Sequence, residues 1–122
     1  MSKEPGPDHP ITVGPASGRV RVRVGDQVVA DSGRALVLRE ADYPPVFYLP
    51  RADVSMDRLA ASDKRTWCPY KGEAAYFGVR TNGRLIEDAV WTYDPASPAV
   101  AGITGYLAFY PSKVDAIETE PV

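Results

Sequence analysis

Residues Arg19 to Val24 read Arg-Val-Arg-Val-Arg-Val, a strict period of two. Successive side chains on a strand point to opposite faces, so Val20, Val22 and Val24 form one face and Arg19, Arg21 and Arg23 the other. Gly25-Asp26 reads as a two-residue turn that returns the chain into Gln27-Val28-Val29-Ala30. The same pattern recurs along the chain. Ala35–Arg39 and Val46–Leu49 read as strands, the second ended by Pro50. A further strand starts near Glu73, with Ala75, Phe77 and Val79 on one face and Ala74, Tyr76 and Arg80 on the other. Asn82-Gly83 is the strongest hairpin signal, and Arg84–Tyr93 returns with a slip at Leu85-Ile86 that reads as a bulge. Gly105–Tyr110 is a strand stopped by Pro111, and Val114–Ile117 alternates as an edge. Only Asp53–Ala60 looks helical, with Asp53 or Ser55 as cap and Met56, Leu59 and Ala60 at i, i+3 and i+4. Ser62–Arg65 reads as a polar loop. With 12 prolines punctuating short strands, the expected fold is mainly β: a single small domain of two packed antiparallel sheets or an open barrel, with one short helix. Residues 1–15 read as a flexible leader, 16–118 as the domain and 119–122 as a free tail.

Composition narrows the function classes. A chain of 122 residues supports one modest core. Its formal net charge of -2 supplies no attraction for nucleic acid or an anionic membrane. No apolar run approaches the length needed to cross a bilayer, and the first residues lack the apolar core of a signal peptide, so a cytoplasmic location is expected. One cysteine and one histidine leave neither an internal disulfide nor a Cys/His zinc site within the chain, and no metal or cofactor is expected. His9 sits in a Pro-rich leader and is expected to be solvent-exposed.

The residues best suited to chemistry surround Cys68. Pro69 fixes its own φ and Gly72 admits φ > 0, so Cys68 to Gly72 reads as a rigid turn that holds a thiol and the Lys71 ammonium together at a strand end. A nearby ammonium favours the thiolate, and a small buried thiol is the simpler alternative. Cys68, Lys71 and Glu73 are the catalytic candidates. Arg51, Asp53, Tyr48, Thr66, Tyr70, Lys71 and Tyr76 are candidates to line a ligand site, with Arg51 either forking onto a ligand carboxylate or pairing with Asp42, Asp53 or Glu73. Glu40 and Asp42 are two apart, so an extended backbone points both the same way, as a general acid/base pair or as solvated carboxylates. The arginine row reads as charge that keeps an edge strand soluble, or as an anion site.

Tyr48-Leu49-Pro50-Arg51-Ala52-Asp53-Val54, Thr66-Trp67-Cys68-Pro69-Tyr70-Lys71-Gly72-Glu73-Ala74 with Tyr76, Trp91-Thr92-Tyr93 and Gly105–Tyr110 together resemble the family called domain of unknown function 427. The resemblance runs from about Arg19 to Ile117. It implies a small, mostly β protein similar to the β-tent group, with Arg51, Asp53, Thr66, Cys68, Pro69, Lys71, Gly72 and Tyr76 as signature positions. Relatives in that group bind zinc through cysteine pairs, which this chain lacks. A nucleotidyltransferase label is sometimes attached to the family, but Glu87-Asp88 are adjacent and point to opposite faces of a strand, unlike the clustered carboxylates of two-metal transfer.

The leading expectation is a domain that binds a small anionic ligand in a cleft lined by the Cys68–Glu73 turn, Arg51 and tyrosines. The alternative is a non-enzymatic interaction module, monomeric or homodimeric. Nucleotidyl transfer is the least favoured.

Overall fold

The structure is a computed structural model that describes residues 3–121. Ten strands follow in order: β1 (Ile11–Pro15), β2 (Gly18–Val24), β3 (Gln27–Ser32), β4 (Leu36–Glu40), β5 (Val46–Tyr48), β6 (Leu59–Cys68), β7 (Gly72–Thr81), β8 (Arg84–Tyr93), β9 (Leu107–Phe109) and β10 (Ala116–Pro121). They form three antiparallel sheets, ordered β1-β4-β5, β10-β2-β3 and β6-β7-β8-β9. A bridge between Leu49 and Leu107 carries β5 onto β9, so the first and third sheets run on as one layer. The β10-β2-β3 sheet packs across it. The fold is mainly β, with two layers and no closed barrel.

The alternation of β2 sets this packing. Val20, Val22 and Val24 are each 1% exposed and meet Val29, Leu49, Val79, Val90, Leu107 and Phe109 in the larger of two core clusters. Burying each of these valines contributes about 2 kcal/mol. The opposite face of the large layer is also covered. There Leu38, Tyr48, Ala74, Tyr76, Tyr93 and Ala108 pack with Val100 and Ile103 of a 3-10 segment, Pro98–Ile103. The layer is therefore apolar on both sides, so Phe77 and Tyr76, neighbours in sequence, join different cores.

Both expected hairpins form as two-residue turns, with Gly25 at φ 60°, Asn82 at φ 52° and Gly83 at φ 74°. The bulge in β8 falls at Glu87–Ala89, slightly beyond Leu85-Ile86, because Phe77 pairs with Val90 while Val79 pairs with Ile86. Gly78 lies opposite that bulge. A Cβ there would approach the Ile86 carbonyl oxygen to 2.9 Å, so glycine is what lets the two backbones meet.

The structure departs from several expectations. Asp53–Ala60 is not a helix: two 3-10 turns, Arg51–Asp53 and Met56–Arg58, run directly into β6, and neither has a side-chain cap. An apolar spacing over so few residues cannot nucleate an α-helix against a sheet edge that offers backbone partners. Ser62–Arg65 is not a loop but the bulged middle of β6, where pairing jumps from Ala61–Phe77 to Arg65–Ala75. Strand pairing begins inside the leader: Ile11–Pro15 pairs with β4, Gly6 and His9 bridge each other, and the Lys3 amide donates to the Pro69 carbonyl at 2.7 Å. Pairing of β10 with β2 likewise runs into the tail, to Pro121. The first two leader residues and the last tail residue lie outside the described residues.

β2 is consequently a central strand, not an edge. Its arginines are neutralised by flanking carboxylates: Arg19 and Arg21 meet Asp31, Arg21 also meets Glu120, and Arg23 meets Glu118.

Candidate functional site

The Cys68–Gly72 turn has the rigid geometry its residues suggest. Cys68 pairs with Gly72, and the Lys71 amide donates to the Cys68 carbonyl at 3.2 Å, with Pro69 preset for its place in the turn. Gly72 adopts φ 108°, and a Cβ there would meet Ser97 Oγ at 3.4 Å.

The turn delivers Lys71 to a partner that the sequence does not flag as such. Lys71 Nζ donates to Glu40 Oε1, and the two side chains are only 13% and 11% exposed. Glu40 Oε2 accepts from His9 Nε2 at 2.7 Å. The His9 ring stacks on Tyr70 with centroids 4.1 Å apart, and meets Tyr43 in an edge arrangement at 6.3 Å. Lys3 Nζ lies 5.9 Å from the centre of the Tyr70 ring. Burial opposes ionisation of Glu40, but hydrogen bonds from Lys71 and His9 outweigh it and hold the carboxyl below its usual range.

The exposed His9 and the Glu40–Asp42 pair are therefore corrected. His9 is half-buried because the N-terminal segment turns back over Tyr70. Ala41 has φ 47°, which breaks the extended backbone needed to align Glu40 with Asp42, and Asp42 is exposed.

A second polar group sits on the face of the large layer that carries Tyr76. Thr66 Oγ1 and Tyr76 Oη share a hydrogen bond at 2.7 Å, and Tyr110 Oη donates towards Tyr76 Oη at 3.5 Å. Trp91 Nε1 donates to Tyr48 Oη at 3.2 Å, and the indole packs against Tyr110 at 4.4 Å. Burial pushes the Tyr48, Tyr93 and Tyr110 hydroxyls well above the usual phenol range, so all three are neutral hydrogen-bonding groups. Tyr48 is 1% exposed and faces the core.

The remaining candidates do not converge on the turn. Arg51 Nε donates to the Gly105 carbonyl at 2.9 Å, its guanidinium lies 4.0 Å from Asp94, and it covers the Phe77 ring. It pairs with none of Asp42, Asp53 and Glu73. Asp53 instead accepts from Ser32 Oγ at 2.7 Å and from Arg34, which together hold its carboxyl below the usual range. Glu73 is exposed, and Cys68 is a half-buried thiol packed against the second core cluster.

The chain matches the model of a family described as domain of unknown function (DUF427) over residues 12–120, nearly its whole length. The chain belongs to the DUF427 family. No curated protein matches this DUF427 chain. Among the described residues, no helix of the domain is long and apolar enough to cross a membrane.

An apolar concavity of the DUF427 domain lies away from the turn. It is a groove of about 430 Å³ where β5 and the end of β9 face β10 and Val22. Phe47, Trp91 and Phe109 form its aromatic walls, Pro45, Pro111 and Ile117 its rim, and Asp115 its one charged group. Asp115 accepts from the Gly25 amide. Nothing in the sequence pattern marked this groove, because its walls come from five strands distant along the chain.

Proposed function

We propose that this domain binds a small, largely apolar molecule with one hydrogen-bond-donating end, in the groove walled by Phe47, Trp91 and Phe109. The observation that carries this reading is the groove itself, aromatic-walled and about 430 Å³ in volume. That volume falls within the roughly 300–1,000 Å³ of ordinary ligand pockets, which combine apolar walls with a few polar groups. The Asp115 carboxylate at the rim favours a ligand amine, amide or hydroxyl, whereas an anionic group there would be repelled. Trp91 reports on occupancy. With Trp67→Phe, Trp91 is the sole tryptophan, and a ligand from an aromatic fragment set should change its emission saturably. Ala116→Leu, on the groove wall, should abolish that change while leaving the fold intact. A fragment set that never perturbs Trp91, or perturbs it equally in the filled variant, removes the reading.

A second reading keeps an anionic ligand at the Cys68–Glu73 turn. It is favoured by the Glu40–Lys71 pair, in which a carboxylate already occupies the position a ligand carboxylate would take. A ligand there would exchange with Glu40 and lift His9 from Tyr70. Glu40→Gln should then strengthen carboxylate binding several-fold, and unchanged or absent binding rejects this reading.

A further inference from the structure

The hairpin at the far end of β7 and β8 gathers cations without partners. Arg58, Arg80 and Arg84 line one open groove of about 440 Å³ together with Thr81, Asn82, Gly83 and Leu85, and no carboxylate lines it. Among the described residues none of the three arginines has a carboxylate within ion-pair distance, although Arg19, Arg21, Arg23, Arg34 and Arg51 all do.

The clustering is costly. Arg58 closes the 3-10 turn that leads into β6, Arg80 follows Val79, the partner of Leu59, and the two cations line the same groove, where like charges repel. Thr81 and Arg84 form the next cross-strand pair and share a face. Asp26, on the turn that touches Asn82, accepts from Gln27.

We propose that Arg58, Arg80 and Arg84 form a binding site for a phosphate-class oxyanion. A guanidinium presents paired N–H donors that match a phosphate oxygen edge, and an anion between Arg58 and Arg80 would turn their repulsion into two attractions. The site shares no residue with the Trp91 groove, so either can fail without the other.

Inorganic phosphate and pyrophosphate titrations, followed by melting temperature and by ³¹P NMR, test the site against sodium chloride at matched ionic strength. Both anions should raise the melting temperature saturably beyond chloride. Arg80→Ala and Arg84→Ala should each weaken binding about tenfold, the loss expected for one charge-assisted contact. Arg84→Lys should fall between Arg84→Ala and wild type, because it keeps charge but loses the fork. Arg19→Ala, in the neutralised row, should bind as wild type does. If phosphate acts no differently from chloride, or if Arg80→Ala and Arg84→Ala both retain wild-type affinity, the proposal is overturned. These arginine side chains lie at an open hairpin end, and circular dichroism of each variant separates lost binding from lost fold.

Discussion

Two sets of three arginines behave in opposite ways in this molecule. Arg19, Arg21 and Arg23 alternate along one strand and stand out in the sequence, yet Asp31, Glu118 and Glu120 neutralise them from the strands on either side. Arg58, Arg80 and Arg84 are scattered over 27 positions (84 − 58 + 1), yet they line one groove with no carboxylate. Lys71 belongs with the first set, since Glu40 takes its charge internally. A basic pattern in a sequence therefore says little about anion binding until the neighbouring strands are known. Where a cation's partner is built into the sheet, the pair is architecture. Where none is, the charge remains available.

The largest expected effect tests the internal pair. Glu40→Ala leaves the Lys71 ammonium buried beside an empty partner position, and should cost about 3 kcal/mol of unfolding free energy by urea titration. A loss comparable to that of an exposed pair would put Lys71 in the available class instead.

Acid should act through the same carboxylate. Glu40 has a native pKa below its unfolded value, so its contribution is present above about pH 4.3 and is lost as pH falls through the native value. Melting temperature followed from pH 7 to pH 3 should drop on the acid side. In Glu40→Gln that part of the drop should be missing. An unchanged acid limb would mean that Glu40 is not held by Lys71 and His9 in solution.

Exposed neutralisation should matter less. Asp31→Ala removes the partner shared by Arg19 and Arg21, and should cost about 0.5–1 kcal/mol, shrinking in high salt. The smallest effect has the opposite sign. Arg80→Gln in phosphate-free, low-salt buffer should stabilise the domain by about 0.3 kcal/mol, by relieving its repulsion from Arg58. A destabilisation there would mean that Arg80 has a favourable contact and that the two sets do not differ in kind.

Much of the fold was legible along the chain. Period-two patterning marked β2, β7 and β8, and Gly25-Asp26 and Asn82-Gly83 marked the hairpins, because turn chemistry and strand alternation act within a few residues. The failures came where a partner strand decided the outcome. Met56, Leu59 and Ala60 have helical spacing, but backbone pairing with β7 extends the chain from Leu59 onwards. Residues Ile11–Pro15 carry no strong strand signal of their own, and they are held by pairing with β4. In the candidate site, the turn at Cys68–Gly72 and the importance of Lys71 could be read locally. Its partners Glu40 and His9, 31 and 62 positions away (71 − 40 and 71 − 9), could not.

By itself, then, the sequence determined most of the strands, the tight turns and the family, all of which rest on residue order and short-range sterics. The tertiary structure alone decided which charges are satisfied and where a concavity opens. Ion pairs and grooves depend on which strands become neighbours, and that follows from burying the valine face of β2 against a layer assembled from the rest of the chain.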